Sequence, residues 1–511
     1  MARSDLLLGI DVGTTGCKAL LIDAEGGGPV ADATRGHRLD TPRPLWAEQD
    51  PECWWEGACA VIRQVLARAG AEPRRVAAVG LTGQMHGLVL LDSAGDVLRP
   101  AILWNDQRTA AQCAEITRRV GKARVLQLTG NPVLTGFTAP KIAWVRKHEP
   151  AVYERAAHVL LPKDYVRYKL TDQLAADVSD ASGTSLFEVG RRRWSDEMLA
   201  ALDLPRAWLP HVFESAEIAG RITGPAALRC GLLPGTPVVA GAGDQAAQAI
   251  GGGILREGDV AVTLGTSGVV FAACDSYRAE PSGRLHAFCH AAPGAWHVMG
   301  VMLSAGGSLR WFRDALGAEE RARAASERRD VYDVLLAPAA DVPAGCEGLL
   351  FLPYLTGERT PHADPAARGV FFGLTLRHGK GHMARAVLEG VAYGLRDGLE
   401  LVRGLGIDAR QIRLSGGGAA SPLWRQMLAD VFNRPLALPE INQGAAYGAA
   451  LLAGVGAGAF RDAAEAAERC VHVAQSVSPG ALVAEYERGY ERFRALYPAL
   501  APHFARIATP P

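Results

Sequence analysis

The sequence predicts an α/β protein made of two like halves. Three observations carry that prediction. A strand–turn–strand unit with a Gly-Thr-(Thr/Ser)-Gly centre occurs twice, at residues 13–16 and again at 265–268. Apolar runs of strand length alternate with stretches of helical periodicity in both halves. The chain has 511 residues, room for more than one domain at roughly 100–200 residues each.

The first unit reads Leu7-Leu8-Gly9-Ile10, then Asp11-Val12-Gly13-Thr14-Thr15-Gly16, then Ala19-Leu20-Leu21-Ile22, a hairpin about a Gly/Thr turn. A helical stretch over 54–69 leads into a buried-strand run at 76–81. Pro234-Gly235 precedes another such run at 237–240, which ends in Gly241-Ala242-Gly243-Asp244. The boundary is expected near 251–253, giving domains 1–250 and 251–511. The second unit follows: Val260-Ala261-Val262-Thr263-Leu264, Gly265-Thr266-Ser267-Gly268, Val269-Val270-Phe271. Leu388, Val391, Leu395, Leu399 and Val402 form one helical stripe. The Ile412-Arg413-Leu414 strand ends in Ser415-Gly416-Gly417-Gly418, and a helix is expected over about 421–432. Tyr486, Tyr490, Phe493 and Tyr497 repeat the helical spacing, as a core face or a dimer contact. Recurrence of the unit with its following elements reads as internal duplication.

Composition narrows the function. Hydrophobic residues are 49% and charged residues 21%, ordinary globular material. Lys+Arg and Asp+Glu balance at 54 each, which excludes a global electrostatic grip on nucleic acid or an anionic membrane. No apolar run reaches the 18 or so residues of a membrane helix, and Asp11 cuts the Leu6-Leu7-Leu8 run too short for a signal peptide. The 9 cysteines are scattered with no C-x-x-C pair, so reduced thiols in a cytoplasm are expected. There is no zinc spacing and no P-loop.

The candidate chemistry lies at strand ends. A tight Gly turn exposes backbone N–H groups to phosphate oxygens without a Cβ in the way. Gly13, Thr14, Thr15, Gly265, Thr266 and Ser267 would form two jaws on one polyphosphate; alone, each turn is only a hairpin. Asp11, directly before the first turn, would hold Mg²⁺ against nucleotide phosphates or serve as a turn-stabilising Asx residue. Asp244, flanked by little side-chain bulk, would take the proton of an attacking hydroxyl, or cap the helix that Gln245 opens. Gly416 and Gly417 suit a nucleotide lying on the backbone. Met85 and His86 in Gly83-Gln84-Met85-His86-Gly87, with Trp104-Asn105-Asp106-Gln107-Arg108-Thr109, offer planar hydrogen bonding and a stacking face for a sugar; taken alone, the histidine reads equally as a satisfied structural residue and the tryptophan as core.

These motifs resemble those of the FGGY carbohydrate kinases. GFTAPKIAWVRKH at 136–148 and GVFFGLTLRHGKGHMARAVLE at 369–389 are similar to the two family signatures. GQMHG at 83–87, AILWNDQRT at 101–109, LPKDY at 161–165, GTSG at 265–268 and GERTPH at 357–362 are similar to the branch acting on D-xylulose. Met85-His86 stands where glycerol-specific relatives carry an Arg-Glu pair. The resemblance implies two ribonuclease-H-like domains, as in actin, hexokinase and Hsp70, around a deep cleft. It implies ATP-dependent phosphorylation of D-xylulose at the 5-hydroxyl, with Asp244 as base. Asp11 would position Mg²⁺, the two turns would surround the phosphates, and Gly416 and Gly417 would lie under adenosine. Met85, His86, Trp104 and Gln245 would line the sugar site; many relatives have Asn where this chain has Gln245. The resemblance also implies a homodimer. Two alternatives stand: another ketopentose such as ribulose, and an actin-like ATP switch for protein clients, against which the polar sugar motifs speak.

Overall fold

The computed structural model describes residues 5–508. The N-terminal half contributes strands β1 (Leu6–Val12), β2 (Gly16–Asp23), β3 (Pro29–Gly36), β4 (Val76–Gly83), β5 (Ile218–Arg221), β6 (Pro237–Val239) and β7 (Ala242–Gly243). They form one sheet in the order β5-β6-β4-β1-β2-β3, with β7 also paired to β4. The C-terminal half contributes β8 (Asp259–Leu264), β9 (Gly268–Cys274), β10 (His286–Cys289), β11 (Trp296–Met302), β12 (Gln411–Ser415), β13 (Leu436–Pro439) and β14 (Val473–Val477). Their order is β10-β11-β9-β8-β12-β13-β14.

The two sheets repeat one plan over six strands. In each, the first hairpin and its third strand are antiparallel (β1/β2/β3 and β8/β9/β11). The next two strands join in parallel (β1/β4/β6 and β8/β12/β13), and an antiparallel strand closes the edge (β5 and β14). The register matches at the strand ends that matter: Asp11 faces Thr82, and Thr263 faces Ser415. Parallel central strands place their carboxyl ends on one edge, where open α/β sheets bind ligands.

Helices cover the sheets. Helix α1 (Pro51–Ala69) is capped by Asp50, whose side chain accepts from the Glu52 N–H, and ends at Gly70 in the left-handed conformation. Its Trp54, Ala58, Val61, Ile62 and Val65 bury one face in the N-terminal core. Helices α2 (Thr138–His148) and α3 (Pro162–Thr171) lie in the long stretch between β4 and β5; α2 packs in a separate core, whereas Tyr165, Val166 and Leu170 of α3 join the N-terminal core beside α1. Helix α4 (Asp244–Gly251) leaves the last N-terminal strand.

In the second half, α5 (Gly306–Leu316) follows β11, α6 (Lys380–Gly404) precedes β12, and α7 (Pro422–Phe432) follows it. Helix α8 (Ala445–Gly456) and the terminal α9 (Val483–Ala508) complete the set. The aromatic stripe of α9 is a core face: Tyr486, Tyr490 and Phe493 are buried beside Tyr393 of α6.

Helix α8 is apolar all round and crosses between the halves. Although β13 precedes it, it packs on β1 and β4 of the other sheet and against α4. The approach is close enough to require missing side chains. A Cβ on Gly80 would lie 1.9 Å from the Ala449 carbonyl oxygen, and one on Gly448 would lie 1.7 Å from that of Ala247. Among the described residues no helix is long and apolar enough to cross a membrane.

Candidate active site

The carboxyl ends of β1 and β4 meet the first Gly/Thr turn. The Gly13 N–H donates to the Gly16 carbonyl at 3.0 Å, closing the turn. The Thr14 hydroxyl is engaged on both sides: it donates to Gln84 Oε1 at 3.0 Å and accepts from Trp104 Nε1 at 2.9 Å. Gln84 Nε2 in turn donates to Gln49 Oε1 at 3.1 Å, and Gln49 Nε2 donates to the Thr14 carbonyl at 2.7 Å. The turn, the sugar-like motif and Trp104 therefore form one hydrogen-bonded unit, and Trp104 keeps 39% of its surface exposed. Asp11 has its carboxyl pushed up to about 6 by burial, against the pull of Lys18. Lys18 Nζ reaches the other half, donating to Gln443 Oε1 at 2.6 Å.

His86 has φ +69, a left-handed conformation unusual for a residue with a side chain. Two donors pin its carbonyl: Lys141 Nζ at 2.7 Å and Thr138 Oγ1 at 3.1 Å, both from α2. Its ring stacks on Phe137 at 4.5 Å. Ring Nδ1 lies 2.8 Å from the Gly183 carbonyl oxygen. A carbonyl only accepts, so Nδ1 carries the proton and Nε2 is the free acceptor. Burial lowers the ring's pKa to about 3, which keeps it neutral.

Asp244 is the first residue of α4, one position inside the cap, which is Gly243. The pairing of Ala242 with Thr82 and Gly243 with Gly83 carries it alongside the end of β4. Met85 packs directly on Gly243, where a Cβ would meet its Sδ at 2.9 Å. Burial first, then the Asp11 carboxylate, raises Asp244 to about 7, while hydrogen bonds from Gln245 oppose the shift. A half-buried carboxyl titrating near neutrality at a strand end is equipped for proton transfer. Asp11 and Asp244 together put two half-buried acids close enough for their charges to couple beside the first Gly/Thr turn, a charge set that a divalent cation would complement.

The second turn is built from the other half. The Gly265 N–H donates to the Ser267 carbonyl at 3.1 Å. The start of α5 clamps it: the N–H groups of Ala305 and Gly307 donate to the Thr266 carbonyl at 2.9 Å each, and that of Gly306 to Gly265 at 2.8 Å. Arg310 Nη2 donates to Thr266 Oγ1 at 3.1 Å. Behind the turn opens a cavity of about 860 Å³, between the turn, Gly417 and Gly418, Tyr332 and Leu336. Gly416 turns the chain there with φ +90. Four residues along α4 from Asp244, Gln248 donates to Thr263 Oγ1 at 2.9 Å and Ser415 Oγ at 3.3 Å. Asp244 and the second half's strand ends thus share one helix face.

Several of these residues escaped sequence reasoning. Gln248, Arg310 and Tyr332 belong to no sequence motif; Gln84 and Lys141 lie inside motifs, at 83–87 and 136–148, that give them no role of their own; only the Gly306-Gly307 pair after a strand repeats the Gly-rich strand-end signal. Asp106, read with the sugar-binding set, is instead consumed locally. It accepts from the Ala47 N–H at 2.7 Å and pairs with Arg108, shaping the loop that carries Trp104.

Comparison with known proteins agrees with this architecture. Residues 6–251 match the N-terminal domain, and residues 260–457 the C-terminal domain, of the FGGY family of carbohydrate kinases. The xylulose kinase of Escherichia coli K12 is 43% identical over 98% of this chain and 100% of its own length. That of Klebsiella pneumoniae is 45% identical over 88% of this chain and 90% of its own. The crystal structure of xylulose kinase from Rhodospirillum rubrum superposes with a TM-score of 0.90 at 34% identity, covering 98% of this chain and all of that one. The chain belongs to the FGGY family of carbohydrate kinases.

Proposed function

We propose that the chain transfers the γ-phosphoryl group of ATP to the C5 hydroxyl of D-xylulose, giving D-xylulose 5-phosphate and ADP. The observation that carries this reading is Asp244: a half-buried carboxyl raised to about 7, just past the strand that pairs with the end of β4, where the Met85-His86 motif follows, and coupled in charge to Asp11 before the first Gly/Thr turn. The O5–H proton passes to the Asp244 carboxylate as O5 attacks the γ-phosphorus in line. The bond to the bridging oxygen breaks and its electrons leave with ADP. Neutral His86 presents Nε2 as acceptor to a sugar hydroxyl, and Met85 and Trp104 wall the sugar, with Gln245 beside the base. Gly13, Thr14 and Thr15 face Gly265, Thr266 and Ser267 across the phosphates, and Gly416 and Gly417 lie under the adenosine. The two half-buried acids fit Mg²⁺, which Asp11 would hold; the ion would supply charge neutralisation on the phosphates.

In this reading the sugar and the base belong to residues 1–250, and the nucleotide to residues 251–511. All nine cysteines are free thiols, which supports the cytoplasm as the place of work. The substrate is tested by ADP release with D-xylulose, ribulose, glycerol and gluconate. D-Xylulose is expected to give the highest kcat/KM. A higher value with any other would replace it as the substrate, and ATP turnover dependent on a protein rather than a sugar would overturn the reading.

A further inference from the structure

A buried charge cluster lies directly behind Asp244, and the mechanism above does not use it. Lys163 of α3 has its ammonium, fully buried, 2.6 Å from Asp164, 2.7 Å from Asp177 and 3.3 Å from Asp180. The ammonium fills the place a metal ion would take among these carboxylates, so the cluster is an ion-pair network. One of its members continues outward. Asp177 Oδ2 accepts from the Ser179 N–H at 2.8 Å and from Ser179 Oγ at 2.5 Å. Ser179 Oγ then accepts from the Gly243 N–H at 3.1 Å. Gly243 is the residue before Asp244.

The need for that bond follows from the packing. Met85 occupies the space beside Gly243, so no side chain fits there. Glycine leaves the backbone free at the point that aims Asp244, and β7, two residues long, holds it by little pairing. We propose that Ser179, oriented by Asp177 and Lys163, is a positioning residue that fixes the Gly243–Asp244 backbone and so the direction of the Asp244 carboxylate. The Ser179 proton goes to Asp177, which leaves an oxygen lone pair for Gly243 and gives the relay one direction.

This inference rests on Asp244 as base, and the test separates the two. Ser179→Ala, Ser179→Thr, Ser215→Ala and Asp244→Asn are compared by steady-state kinetics and thermal melting. Ser215 Oγ donates to the same Asp177 oxygen at 3.3 Å without touching Gly243, so Ser215→Ala reports the cluster's stability alone. Ser179→Ala is expected to lower kcat about tenfold or more, since a misplacement of ~1 Å costs up to ~10²-fold. Its D-xylulose KM should stay within about threefold, and Ser179→Thr should restore kcat. An unchanged kcat in Ser179→Ala, an equal kcat loss in Ser215→Ala, or no rescue by threonine would overturn the relay. If the alanine variant is not recovered folded, Ser179→Cys, similar in shape but a poorer acceptor, takes its place, and full kcat there overturns it too. Asp244→Asn that retained turnover would remove the base itself, whatever Ser179 did.

Discussion

The two halves carry the same six-strand plan and differ in what stands at its strand ends. Where the first half has Asp11, the second has Thr263; each lies two residues before its turn and pairs with the neighbouring parallel strand. Where β4 runs into Gly83-Gln84-Met85-His86, β12 runs into Ser415-Gly416-Gly417-Gly418. One backbone thus presents carboxylate, amide and imidazole in the first half, and hydroxyls with bare backbone in the second. In the proposed reading, the difference means that the fold would supply donors to phosphate twice and the means to handle a proton and a metal ion once. A second carboxylate pair would then repel the triphosphate that this reading places against Asp11 and Asp244.

The sharpest test removes the unmatched group. Asp244→Asn should lower kcat by about 10²–10⁴-fold, the range for a general base, with both KM values little changed in steady-state assays. A residual kcat above about a tenth of wild type would assign the proton elsewhere. Next, Thr263→Asp makes the second half like the first. A like charge near the phosphates, worth about 1.4 kcal/mol, should raise the ATP KM about tenfold and the sugar KM less. Equal rises would mean the halves do not divide the substrates. His86→Ala should act in the opposite sense, raising the D-xylulose KM about fivefold through one lost hydrogen bond of about 1 kcal/mol, with the ATP KM within twofold.

The smallest expected effect is on stability. Asp244 titrates at 3.8 when unfolded and about 7 when folded. Between those values the folded state binds more protons, so this group's contribution to stability falls as pH rises through the window. Asp244→Asn should therefore melt higher than wild type at pH 8, by about 2 °C or more, with a smaller gain at pH 5. A gain that is larger at pH 5 would contradict the half-buried, neutral-leaning acid. By the same titration, wild-type kcat/KM should decline below pH about 7 as the base takes up its proton.

Much of this was legible in the sequence because it is local. The twin hairpins, the helical stretch over 54–69 and the stripe from Leu388 to Val402, which lie within the helices Pro51–Ala69 and Lys380–Gly404, and the glycines around Asp244 follow from alternation, periodicity and turn chemistry, which a short window contains. The Tyr486–Tyr497 spacing announced a helix face but not its neighbour; the packing against Tyr393 resolved it as core.

What only the tertiary structure decided depends on residues far apart in sequence. Nothing near α8 says that it docks on the other half's sheet, because Gly80 matters only once Ala449 lies over it. Lys141 reads as an ordinary helical lysine until its ammonium meets the His86 carbonyl. Gln248 gains its partners, and Ser179 its glycine, only when the two halves and the stretch between β4 and β5 are assembled. Hydrogen-bond geometry is a relation between groups, and a single chain position records only one of them.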